Sequence, residues 1–146
     1  MRRLLIVAAS CLLLTVTAPL SATAATTSLK VTPNGINFGT QPVGVEVLKG
    51  ATITNTGAAD VLLLVEGGLP DDFGFGLLPG STCPALTPGD ILAAGASCDI
   101  VVRFTPSEFF AGLHQTGTLI ATVHDPATGD LLQTRAITVK GRGSTA

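Results

Sequence analysis

Beyond residue 25 the chain holds no helical rhythm over any long window. Gly, Pro and Asp clusters break it every few residues, and between the breaks apolar and polar side chains alternate. A period of two puts every second side chain on one face of an extended strand. Short alternating runs rich in Val and Thr, separated by turn residues, lead to an all-β sandwich or barrel.

The runs can be followed in order. Leu29 and Val31 precede a turn at Pro33-Asn34-Gly35; Ile36 and Phe38 resume the alternation, and Gly39 ends it. Val45 and Val47 continue past Lys49-Gly50, a candidate bulge, to Ala51 and Ile53 on the same parity. A turn at Asn55-Thr56-Gly57 leads into Val61-Leu62-Leu63-Leu64-Val65, which is apolar on both faces. Such a strand is either buried on both sides or carries a contact face. Residues 67–96 are crowded with Gly and Pro, and only Phe73 and Phe75 alternate, so this stretch reads as one short strand and two long turns. Cys98, Ile100, Val102 and Phe104 alternate up to Thr105-Pro106, and Ser107 to Gly112 forms a corner. Leu119, Ala121 and Val123 face inward opposite Thr116, Thr118 and Thr122, Asp125 to Gly129 makes the last turn, and Ile137 and Val139 belong to a final strand ending at Gly141. Parity predicts a core of Ile36, Phe38, Val45, Val47, Ile53, Val61, Leu63, Ile100, Val102, Phe104, Leu119, Ala121, Val123, Ile137 and Val139.

Residues 1–25 have the order of a secretory signal peptide. Arg2 and Arg3 precede an apolar run from Leu4 to Leu14, and Ala22-Thr23-Ala24 supplies small residues for cleavage after Ala24 or Ala25. The alternative, a membrane anchor, needs about 20 apolar residues, and this run is shorter. Cys11 sits inside the run behind a poor lipobox. Removing the leader leaves six basic and ten acidic residues, a net charge of −4, and no electrostatic case for nucleic acid.

Two cysteines remain, Cys83 and Cys98, 15 positions apart. An even pair in an exported chain reads as a disulfide, because that compartment is oxidising. Metal-binding thiolates would need partner ligands that the surrounding sequence lacks. The expected address is exported, periplasmic or extracellular.

Chemistry is harder to find. His114 and His124 are the only histidines, and ten strand residues would hold them about 33 Å apart. Ser97, Asp99 and His114 have the letters of a triad but no nucleophile elbow. Asp71-Asp72 has no full calcium ligand set and reads as a solvated turn. No Trp or Tyr is present, so Phe109 and Phe110 are the rings available for a contact, one expected to plug the core and the other to be exposed. No catalytic residue, cofactor or metal is expected.

The order Phe38-Gly39, Val43-Gly44, Ile53-Thr54-Asn55-Thr56-Gly57, Gly95-Ala96-Ser97-Cys98, Val102-Arg103-Phe104-Thr105-Pro106 and Gly141-Arg142-Gly143 resembles the immunoglobulin-like domain shared by abnormal-spindle and Hydin proteins, the ASH domain. Exported bacterial relatives are labelled choice-of-anchor D proteins. The resemblance covers roughly residues 29–143 and implies one domain over 26–146, a Greek-key β-sandwich of about seven strands related to major sperm protein and pilus chaperones. It implies no catalysis. Two places depart from the pattern: Thr87-Pro88-Gly89-Asp90 looks like an insertion, and Leu62 and Leu64 stand where relatives more often carry Thr or Ser. The expected function is an exported, non-catalytic structural or protein-interaction module, self-association included, with Leu62, Leu64, Phe109 and Phe110 as candidate partner surface. The alternative is a chaperone-like or adhesive binder that pairs an edge strand with a partner strand; a small enzyme or ligand carrier is the remotest.

Overall fold

Alternation of the kind just described closes only when two sheets bury their apolar faces against each other. A computed structural model describes residues 27–76, 78–83 and 90–145 and shows that arrangement. The expected signal peptide and most of the expected insertion lie outside the described residues. The strands are β1 (Leu29–Thr32), β2 (Gly35–Pro42), β3 (Val47–Asn55), β4 (Val61–Gly68), β5 (Phe73–Phe75), β6 (Ile91–Leu92), β7 (Ser97–Phe104), β8 (His114–His124) and β9 (Leu131–Ser144). A short 3-10 helix, Glu108–Phe110, fills the corner between β7 and β8.

One sheet has four strands in the order β1-β3-β7-β5; the other has five, β2-β9-β8-β4-β6. All neighbours are antiparallel except β2, which lies parallel to β9. The chain is therefore an all-β, immunoglobulin-like sandwich. It has nine strands among the described residues rather than about seven. Part of the excess is β6, a two-residue strand held only by Val61 and Leu62, too short to show a period. The Pro33-Asn34 turn makes no hairpin; it carries the chain from one sheet to the other. Beyond Gly39, β2 continues to Pro42 past a register shift between Asn37 and Thr40. Gly39 has φ +69°, a conformation that glycine takes without a Cβ penalty. The expected interruption at Lys49-Gly50 is absent, because β3 pairs with β7 without a break from Val47 to Thr54.

Parity sets the core. Thirteen of the fifteen expected residues are buried, with Phe38, Phe73 and Phe104 in ring contact at 4.5 to 5.8 Å between centroids. Val47 only packs against the core's margin, and Val45 is 46% exposed. Val45 lies before β3 begins, in a turn closed by its own N–H to the Pro42 carbonyl, so strand parity does not govern it. Gly141, inward on β9, allows a close approach: a Cβ there would lie 2.7 Å from the Phe104 ring.

Candidate functional site

The Cys83–Cys98 disulfide is present. It binds the start of β7 to the segment Ser81–Cys83, which also lies along β7: Thr82 and Cys83 both donate N–H to the Asp99 carbonyl, and the Asp99 N–H donates to the Thr82 hydroxyl.

The triad letters do not converge. Ser97 and Asp99 lie on β7 in the smaller sheet, where Ser97 Oγ is 2.8 Å from Thr54 Oγ1 and Asp99 Oδ1 accepts from Thr52 Oγ1 at 2.6 Å. His114 stands in the other sheet. His114 and His124 are the two end residues of β8, with outward parity, and hold nothing in common. Among the described residues no group of three His, Cys, Asp or Glu gathers as a metal site. Asp72 departs from the expected solvated turn. It is buried, and its Oδ2 accepts from the Ser107 N–H at 3.1 Å and from the Gln115 side-chain amide, tying the β7–β8 corner to the sheet.

Leu62 and Leu64 point out of the larger sheet, since Val61, Leu63 and Val65 are buried. Both are half-buried. The register of four strands builds rows on this outer face. Ile91 (54% exposed), Leu62, His124 and Leu131 (58% exposed) form one row; Leu64, Thr122 and Thr134 the next; Glu66, Ile120 and Ala136 a third. Leu132, the extra residue at the register shift beside His124, is exposed too. Within residues 67–92, Gly67 and Gly68 finish β4, and Ile91 and Leu92 form β6, which extends the face sideways. Parity within one strand could not have found Ile91, Ile120 and Leu131, because joining them requires the pairing.

Phe109 and Phe110 form an edge-to-face pair, centroids 4.8 Å apart. Neither plugs the core: Phe109 is 85% exposed and Phe110 is half-buried. The short 3-10 turn buries none of its residues, so the corner carries both rings on the surface.

A second surface feature is an open groove of about 760 Å³ between β1 and the first half of β9, lined by Val31, Pro33, Asn34, Thr134, Arg135 and Ala136 among others. β2 pairs with β9 only from Thr138 onward, which leaves Leu131–Ile137 with one strand partner among the described residues. Among the described residues, side chains reach the outer edge of β1 at Leu29, whose N–H donates to Gln133 Oε1 (2.7 Å) and whose carbonyl accepts from Arg135 Nε (3.2 Å).

No family model and no curated protein matches the chain. Solved structures do. An ASH/PapD-like domain of human CEP192 superposes with a TM-score of 0.64 at 14% identity, covering 94% of this chain and 99% of that domain. The fold is that of the ASH and MSP domains. WR4, an MSP family member of Caenorhabditis elegans, superposes at 0.54 with 10% identity, covering 77% of this chain and 96% of its own. The Salmonella enterica SafA pilin–SafB chaperone complex gives 0.55 at 11% identity, covering 80% of this chain and 54% of that one. At these identities the likeness is one of fold, and function must be argued from the surface.

Proposed function

We propose that the chain is an exported, non-catalytic protein-interaction module, in the manner of the choice-of-anchor D proteins, whose contact surface is the outer face of the larger sheet. The observation that carries this is the apolar pair Ile91–Leu62, with Leu131 across His124 in the same row and Leu64 and Ile120 beside it. A sheet face turned to water ordinarily alternates to polar residues. Contiguous apolar area on such a face is what association removes from water, at about 25 cal/mol per Å². The outer face of the smaller sheet supports the contrast. It carries Thr52 with Asp99 and Thr54 with Ser97, hydroxyl and carboxylate partners that satisfy one another. The exposed Phe109–Phe110 pair is a second candidate contact. An oxidised Cys83–Cys98 pair fits the exported address.

The test is the double substitution Leu62→Thr with Leu64→Thr, followed by sedimentation and by cross-linking in the envelope and culture fractions. The expected variant melts with the wild type and loses self-association or its cross-linked partner. A clearly destabilised variant of a wild type that is monomeric and captures nothing would overturn the proposal. Sequencing the N-terminus of the exported protein tests the address: a chain beginning at Ala25 or Thr26 is expected, and one beginning at Met1 in the cytoplasm refutes it.

A second reading, edge-strand pairing with a partner strand, is favoured by the groove between β1 and β9. There an added strand would meet main chain that has one strand partner among the described residues.

A further inference from the structure

Strands β2, β8 and β9 contain no Asp or Glu. Near the end of the larger sheet remote from Leu62, their register gathers cations instead. Arg142 lies opposite His114 on one side and Thr40 on the other; Lys140 lies opposite Thr116 and Asn37. All of these are exposed, on the face opposite buried Val139, Gly141 and Gly143. Directly opposed residues place their Cβ atoms about 5 Å apart, and alternate residues of one strand are about 7 Å apart. The register shift in β2 at Phe38-Gly39 shapes the neighbouring wall, and a cavity of about 280 Å³ opens there. It is lined by Asn37, Gly39, Thr40, His114, Thr116, Lys140 and Arg142 among others. Lys49 reaches the same rim, with Nζ 2.7 Å from the Asn37 carbonyl oxygen.

Like charges held side by side oppose folding by a few tenths of a kcal/mol per pair unless an opposite charge lies between them. None does. The ion pair found among the described residues is Glu46–Arg103 at 3.9 Å, on different residues altogether. The cluster also runs against the charge of the chain, which beyond residue 25 is −4. Gly141 and Gly143 are explained by the core, since a Cβ at either would press on Phe104 or Pro106. Among the described residues nothing explains the arginine between them.

We propose that this cavity binds an acidic segment of a partner polypeptide, with Arg142 and Lys140 taking Asp or Glu carboxylates and Asn37, Thr40, His114 and Thr116 supplying polar contacts. A guanidinium fork matches a carboxylate with two parallel hydrogen bonds, and a lysine beside it adds a point charge. The volume, about 280 Å³, lies at the lower edge of the range for small-molecule and cofactor pockets, about 300–1,000 Å³, and suits one or two side chains. The His114 imidazole is the one aromatic ring in the lining and no Phe joins it, a poor stacking platform for a sugar or a base. The site shares no residue with the Leu62–Leu64 cluster, and either can fail without the other.

The probe is fluorescein-labelled hexaglutamate, titrated into the mature protein at low ionic strength and followed by anisotropy, with ¹⁵N NMR to map the site. Saturable binding is expected, with shifts confined to residues 37–40, 114–116 and 140–142, and weakening as salt rises. Lys140→Gln with Arg142→Gln should weaken it by about tenfold or more with a melting temperature no lower than the wild type's, because both side chains are exposed and their mutual repulsion is removed. Lys30→Gln, on the other sheet, should change it less than about twofold. The proposal is overturned by an equal loss from Lys30→Gln, by shifts spread over all basic residues, or by no hexaglutamate binding at millimolar probe. Inorganic polyphosphate binding at these residues where hexaglutamate does not would also overturn it, in favour of a phosphate polymer.

Discussion

Asn55 is fully buried at the end of β3 and holds the β3–β4 and β6–β7 connections together. Its Nδ2 donates to the carbonyls of Ala59 (2.8 Å), Leu92 (3.1 Å) and Ala93 (3.2 Å), and its Oδ1 accepts the Gly57 N–H (3.0 Å). Its main chain adds bonds from Asn55 N–H to the Ala96 carbonyl and from Gly95 N–H to its own carbonyl. Asn55→Ala keeps the main-chain bonds and deletes the rest. The buried Leu92 carbonyl loses a donor, at a cost of about 1–3 kcal/mol, and the partners nearer to solvent lose the net worth of a bond, about 1 kcal/mol between them after hydration. The sum, about 3 kcal/mol, lowers the melting temperature of a domain this size by roughly 12 °C. Urea titration by circular dichroism measures it directly. Asn55→Asp separates hydrogen bonding from packing, since the shape is nearly kept. At neutral pH its carboxylate would face three carbonyl oxygens and should destabilise more than alanine does. That environment raises the folded pKa of the introduced acid above the ordinary carboxylate value of about 3.9. The deficit is therefore full above the folded pKa and fades as pH falls toward the unfolded one. An alanine variant within about 0.5 kcal/mol of wild type, or an aspartate variant more stable than alanine at pH 7, would refute this account.

Denatured but unreduced mature protein should contain no free thiol by titration, and Cys98→Ala should cost about 3 kcal/mol for its loop of 15 residues. Phe104→Ala should cost about 3–5 kcal/mol in the same urea assay, because the ring is wholly buried between Phe38 and Phe73. Asp72→Ala should cost about 2–3 kcal/mol by stranding the Ser107 N–H and the Gln115 amide; Asp72→Asn should stay within about 1 kcal/mol of wild type, since one oxygen can accept both bonds.

Where a strand is long and one face is buried, its sequence tells its orientation, because a one-residue slip would turn every side chain over. Phe104, Val102 and Ile100 on β7, and Leu119, Ala121 and Val123 on β8, were legible for that reason. Val45 was not, since it sits in a turn before its strand begins. β6 was not, because two residues have no period and its place is fixed by Val61 and Leu62. Asp72 shows the same limit for polar residues. Next to Asp71 and before Phe73 it has the local look of a turn, and its partners, Ser107 and Gln115, lie 35 and 43 residues further on.

The outer face of the larger sheet shows how much a pairing register adds to a parity argument. Parity alone turns Leu62 and Leu64 away from the core and cannot say what stands beside them. Register sets Ile91 on one flank of Leu62 and, across His124, Leu131 on the other, and it sets Arg142 against His114 toward the opposite end of β8. An eleven-residue strand spans about 33 Å at 3.3 Å per residue, so the aliphatic and cationic ends are too far apart to be one pocket and close enough to be one interface. A standard protein contact covers about 800 Å² per partner, a patch of that breadth. A partner with an apolar strip and an acidic end would satisfy both ends in one orientation and be repelled in the reverse one. That is how charge sets register while apolar area supplies affinity.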